Sequence, residues 1–319
     1  MQLAKKNKIY EKLTDNIMKF QALFALITLI LILSFATDTF LTVSNLMNVS
    51  RQVSINAIVA AGVTMVILAG EIDLSVGSLV GLAGAVSAGL VASGMNPVLG
   101  LLVGIIVGIL AGAINGIIST KGKVPSFITT LGMMTTARGL TLVFTNGRPI
   151  TVTNRLALFL GDGYIGPVPM PIITMIIIYI IGYIISKHTL LGRYIYAIGS
   201  NEEATRLSGI NVNLIKSITF VMAGITAAIG GIIVSGRIYS AQPTAGTGYE
   251  LDAIAAVVLG GTSLSGGKGG IVGTLIGALI IGILGNGLNL LGVSSFYQQV
   301  IKGVVIVLAV LIDQWSKNK

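Results

Sequence analysis

The chain has 319 residues, of which 54% are hydrophobic and only 10% charged, and carries a net charge of +9. This is too apolar for a soluble domain of that length, and runs near the ~20 residues needed to cross hydrocarbon recur through it. The positive charge does not point to nucleic acid, because Lys and Arg are scattered between apolar runs; with no Cys and His188 as the one His, disulfides, thiol catalysis and Cys- or His-based metal centres are excluded.

The N-terminus is basic, with Lys5, Lys6, Lys8, Lys12 and Lys19, and runs into the apolar stretch Phe20 to Ala36. Ser34-Phe35-Ala36 has the small-residue character of a signal cleavage site. A retained first span is expected instead, since the rest of the chain is itself polytopic. Ten spans are expected, near 20–37, 53–70, 74–93, 97–119, 126–145, 168–186, 217–235, 251–264, 270–291 and 297–312. The eighth is short enough to be half a helix with a re-entrant stretch.

Orientation follows from where cations fall. With the N-terminus inside, fourteen lie on the cytoplasmic side: the five N-terminal lysines, Lys121, Lys123, Lys187, Arg193, Arg206, Lys216, Lys268, Lys317 and Lys319. Four lie outside: Arg51, Arg148, Arg155 and Arg237. The expected fold is an all-α polytopic membrane protein, one transmembrane domain over 1–319. Both termini are placed in the cytoplasm, with a segment 1–19, a loop 187–216 and a tail 313–319 on that side.

An internal repeat is visible. GEIDLSVGSLVGLAGA (Gly70 to Ala85) is echoed by YELDAIAAVVLGGTSL (Tyr249 to Leu264), and the Asn115-Gly116 pair by Asn286-Gly287. Spans 2–5 then correspond to spans 7–10. An offset of five spans reverses direction through the membrane, giving an inverted-topology pair. The fourth span carries Gly100, Gly104, Gly108, Gly112 and Gly116, a smooth stripe suited to close helix packing. Gly273 and Gly277 are a shorter version in the ninth.

Few polar side chains fall within spans. Arg138 costs roughly 2.5–3.5 kcal/mol at membrane depth on insertion scales, so it faces a pathway or pairs with a buried acid or carbonyl. Lys302 lies about one turn into the last span and is expected to snorkel to the outer interface. The amides Asn115, Asn286, Asn289 and Gln298 suit sugar hydroxyls, and equally suit bonding between helices. With Arg138 they are the candidate translocation path. Glu71, Asp73, Glu250 and Asp252 sit at span junctions and read as helix starts.

LSGGK (Leu264 to Lys268) is a decoy for nucleotide binding. A P-loop needs a Gly where Thr262 stands and a Ser or Thr where Gly269 stands. It reads as a Gly-rich turn, so this chain is not expected to be an enzyme.

The segment Ala197 to Val212 is polar and carries its own start and stop signals. Ser200 and Glu203 have capping-box spacing. Glu202 and Glu203 suit the positive helix end, and Arg206 follows Glu202 by four. Gly209 suits a left-handed stop, with Ile210 supplying its apolar contact. Ala204 and Leu207 share a face. A helix over 201–208 is too short to stand alone in water, so it docks on its own membrane domain or on a partner.

Over nearly its whole length the chain resembles the permease subunits of bacterial monosaccharide ABC importers, those for ribose above all. The resemblance rests on GEIDLSVGSLVGL, NGIISTKGKVPSFITTLGMM, RGLTLVFTNGRPI, GRYIYAIGSNEEATRLSGI, SAQPTAGTGYELDAIAAVVLGGTSLSGGKG and NGLNLLGVSSFYQQVIKGV. Glu71 stands where relatives often have Gly, a departure expected to matter little. The resemblance implies two permease subunits, here a homodimer, driven by two ATPase subunits that hold the ATP and Mg. No cofactor is expected on this chain, and a binding protein delivers the sugar to it in the bacterial cytoplasmic (inner) membrane. It maps the ATPase-coupling helix onto Gly199, Ser200, Asn201, Glu202, Glu203, Ala204, Arg206, Leu207, Ser208, Gly209 and Ile210. D-ribose is the expected cargo; related permeases carry xylose, arabinose, galactose or autoinducer-2. An ion-coupled secondary carrier and a passive channel are the readings from other classes.

Overall fold

The computed structural model describes residues 22–317; the basic N-terminal segment and its five lysines lie outside the described residues. Thirteen helices are present among the described residues. They are α1 (Ala22–Ala36), α2 (Val43–Leu68), α3 (Val76–Ala92), α4 (Pro97–Thr120), α5 (Ser126–Thr145), α6 (Arg155–Asp162) and α7 (Met170–His188). There follow α8 (Leu190–Ser200), α9 (Glu202–Leu207), α10 (Val212–Arg237), α11 (Tyr249–Leu259), α12 (Ile271–Leu290) and α13 (Ser295–Lys317). Each of the ten expected spans overlies one of them. Six, α2, α4, α5, α7, α10 and α12, are long and apolar enough to cross a membrane. Among the described residues, strand is confined to two-residue pairs: β1 (Ile150–Thr151) with β4 (Ser240–Ala241), and β2 (Tyr164–Ile165) with β3 (Val168–Pro169).

The centre of the molecule is α10, which packs on α2, α3, α4 and α6. Its contact with α4 is made backbone to backbone along the glycine stripe. Cβ atoms on Gly108, Gly112 and Gly116 would run into the α10 backbone at Gly224, Phe220 and Ser217. Gly224 in turn faces the Gly108 carbonyl. Such contact is available because α4 lacks side chains along this face, and it supplies dispersion attraction between the two helices. On α12, Gly273 and Gly277 abut the α11 backbone at Gly260 and Ala256 in the same way. The first span packs against the rest of the chain: Leu26 and Leu33 join a cluster with Ile280 and Ile283 of α12, and Leu33 fills the notch over Gly287.

The packing follows the repeat read from the sequence. α10 lies on α3 and α4 as α2 lies on α11 and α12, while α5 packs on α3 as α13 packs on α11. One half is more broken than the other. α11 has 11 residues, and the chain before it runs inward from β4 without helical structure. Its Ala245 and Gly246 carbonyls reach Gly81 and Gly77 in the first turns of α3. The helix of the eighth expected span is thus short, and the irregular stretch lies before it, over residues 242–248. Irregular backbone packed among apolar helices requires protein partners for its carbonyls. Arg138 of α5 supplies them: Nη1 donates to Pro243 O at 2.7 Å and Ala245 O at 3.0 Å.

The last span is longer than expected, since α13 continues through residues 313–317. Lys302 does not snorkel to the interface. Its Nζ lies 2.8 Å from Asp252 Oδ2 of α11, with side chains 29% and 11% exposed. The counter-charge is an acid one helix away, and Asn56 adds a bond to the same carboxylate at 3.5 Å.

Candidate functional site

Three loops and one helix start meet at the end of the molecule that the cation count assigns to the cytoplasm. They are the α2–α3 loop, the α4–α5 loop, the turn 262–270 and the beginning of α10. The segment 187–216, expected as one loop with one short helix, holds two helices. α8 was not anticipated, although Thr189 is its cap and Ile195 and Ile198 its buried stripe. Thr189 Oγ1 accepts from Gly192 N at 3.2 Å. Where α8 ends, Gly199 lies so close to Leu68 O and Gly267 N that no Cβ fits. Gly267 N donates to Leu68 O at 3.0 Å, so the Gly-rich LSGGK turn is a structural plug under α8.

α9 starts differently from its expected capping box. Ser200 is the last residue of α8, and its hydroxyl donates to Tyr196 O at 2.9 Å. The N-cap is Asn201, whose Oδ1 accepts from Ala204 N at 2.9 Å. α8 holds Ser200 in helical conformation, whereas an N-cap is extended, as Asn201 is at φ −159°. The stop follows expectation in detail. Gly209 has φ +82°, its N–H donates to Arg206 O at 3.0 Å, and Ile210 N donates to Thr205 O at 3.4 Å. These are the two bonds of a Schellman motif, and Ile210 packs on the main core. Nothing lies within 4 Å of a Cβ at Gly209, so conformation and not crowding requires glycine there.

Of α9, only Thr205 is buried. Glu203, Ala204 and Leu207 face outward, Leu207 with 83% exposure. The expected Arg206–Glu202 ion pair is formed. Two partners were missed by sequence reasoning. Lys216 of α10 lies 2.6 Å from Glu202 Oε2 and 2.6 Å from Glu71 Oε1. Glu71, expected to matter little, is thus part of the anchor. The sequence carried no signal for this pair, because Lys216 lies 145 residues after Glu71. Beside this cluster opens a cavity of about 620 Å³ whose walls include Lys123, Ser126, Arg206 and Asn213.

The candidate path residues do not converge. Asn115 is fully buried on α4, and its Nδ2 donates to Ser75 Oγ at 2.9 Å. Ser75 donates through both N and Oγ to Asp73 Oδ1, at 2.8 and 2.6 Å. Asp73 precedes α3 as expected, but it is wholly buried. Asp73 Oδ2 and Asn115 Oδ1 find no donor. Burial raises the Asp73 carboxyl to about 6, against the two Ser75 bonds. Asn286 exchanges two amide bonds with Asn45 of α2, at 2.9 and 3.1 Å. Gln298 donates to Val293 O at 2.8 Å in its own turn, and Asn289 is exposed. Arg138 is spent on carbonyls. Most of these groups tie helices or turns together.

This architecture of packed apolar helices with a capped polar helix at one end is that of a membrane permease subunit. Residues 45–310 match the model of the family described as branched-chain amino acid transport system / permease component, and the chain belongs to that family. It is 54% identical over 301 residues to the ribose import permease protein RbsC of Escherichia coli (strain K12), covering 93% of this chain and 94% of that one. Identity to the protein of the same name from Bacillus subtilis (strain 168) is 54% over 303 residues, 94% of each chain. The xylose transport system permease protein XylH of Haemophilus influenzae is 34% identical, over 95% of this chain and 98% of that one. No solved structure matches.

Proposed function

We propose that this chain carries a monosaccharide, D-ribose first, across the bacterial cytoplasmic membrane as the permease subunit of an ATP-driven importer. The observation that carries the cargo is the 54% identity along almost the full length to relatives named as ribose import permeases, against 34% to one named for xylose. The charge-poor helices agree with a neutral polyol.

In this reading ATP and Mg belong to a separate ATPase subunit, a second copy of the chain completes the membrane portion, and a sugar-binding protein delivers cargo at the opposite end. The single transmembrane domain has its termini in the cytoplasm. The ATPase docks on Gly199 to Ile210. Support comes from the form of α9, a capped helix whose Ala204 and Leu207 face outward, with none of the described residues covering them. On the path, Asn115, Arg138 and Asn286 act chiefly by fixing the helices and the irregular stretch that border it, while Asn289 and Gln298 remain candidate sugar contacts. The test is uptake of labelled sugars by vesicles holding the chain with its ATPase and binding protein. Ribose uptake that excess xylose, arabinose and galactose leave unchanged supports the assignment. Transport of another sugar in preference to ribose overturns it.

A further inference from the structure

Lys216 stands in the first turns of α10 with its side chain only 11% exposed. It is held by two carboxylates from separate parts of the chain. Glu71 belongs to the loop that leads from α2 into α3, and Glu202 opens α9. Both are charge-assisted bonds, each at 2.6 Å. α9 has little else to fasten it. It is six residues long, buries only Thr205, and is flanked by the open cavity that Glu71, Glu202 and Lys216 themselves line. A helix of this length has no stability of its own in water, so its position is set by what it is tied to.

We infer that Lys216 is the positioning residue that makes α9 and the α2–α3 loop move together. Lys216 and Glu71 are 11% and 16% exposed, so parting them leaves the Glu71 carboxylate poorly solvated and without its cation, while Glu202, 41% exposed, reaches the same cation from the open side. If α9 shifts, Glu202 draws Lys216, and Lys216 draws Glu71. Glu71 stands two residues before Asp73, whose carboxylate holds the entry to α3. α3 in turn carries Gly77 and Gly81, on which the irregular stretch rests. A displacement at the exposed helix thereby reaches the irregular backbone among the apolar helices. This rests on the reading of α9 as the ATPase-docking helix.

The test uses the full complex of permease, ATPase and binding protein in vesicles, measuring sugar moved per ATP hydrolysed and the yield of co-purified ATPase. Lys216→Met is expected to keep the ATPase bound while sugar per ATP falls about tenfold, and Lys216→Arg is expected to restore it to within about twofold, since Arg can bridge the same two carboxylates. Glu71→Gln leaves Lys216 paired with Glu202, a milder change to the fold than Lys216→Met, and is expected to give an intermediate loss. Wild-type sugar per ATP in Lys216→Met or in Glu71→Gln overturns the inference. Leu207→Asp separates the underlying reading: if the ATPase co-purifies normally with that variant and uptake is normal, α9 is not the docking helix. If Leu207→Asp abolishes docking and Lys216→Met stays coupled, only the role of Lys216 falls.

Discussion

Lys302 Nζ and Asp252 Oδ2 lie 2.8 Å apart and join α13 to α11 near the broken end of the eighth span. Removing one partner strands the other, at a cost of about 3 kcal/mol for a largely buried pair. Asp252→Asn and Lys302→Met are each expected to lower thermal stability in detergent, and the double variant to recover most of the loss. Single variants as stable as the wild type would show that the pair is solvated.

The α4–α10 contact gives a steric prediction. Gly108→Val places atoms into the Gly224 carbonyl, and α10 cannot retreat because α2 and α3 lie behind it. The substitution is expected to cost at least about 2 kcal/mol, seen as a lower melting temperature and aggregation on size-exclusion chromatography. Gly303→Ala, with nothing within 4 Å, is the matched control and is expected to be neutral. Equal behaviour of the two would contradict the backbone contact.

The start of α9 distinguishes two neighbouring residues. Asn201→Ala removes the cap and is expected to cost about 1 kcal/mol of local stability, raising amide exchange across residues 202–208. Ser200→Ala removes only a bond within α8 and is expected to leave that exchange unchanged. The reverse order would restore the capping box that the spacing of Ser200 and Glu203 suggests.

Asp73 gives a pH prediction. Its carboxyl is raised from 3.8 to about 6 in the fold, so folding favours the protonated form. The contribution is fully present below about pH 4 and is lost as pH rises through about 6. Between about pH 5 and pH 8 the wild type is therefore expected to lose melting temperature relative to Asp73→Asn, which has no proton to lose. Parallel curves for the two proteins would show that Asp73 stays ionised and finds a donor for Oδ2.

Much of this fold was legible because membrane crossing writes length and apolarity directly into the chain. The ten expected spans fall on helices, and the stop at Gly209 follows from a residue that tolerates positive φ. What was not legible depends on partners distant in sequence. Lys302 looked like an interfacial lysine because Asp252 lies 50 residues away, and Arg138 left two readings open because carbonyls carry no sequence signal. Glu71 looked incidental for the same reason, since Lys216 lies 145 residues on. Ser200 misled because capping-box spacing does not reveal that the preceding residues are already helical.

The central claim is that transport by this chain depends on a partner ATPase docked at α9. It is tested most directly by reconstituting the chain in vesicles, with and without the ATPase, ATP and binding protein, and following labelled ribose. Uptake only when all three are present is the predicted result. Ribose uptake by the chain alone, whether driven by an ion gradient or passive, would contradict it.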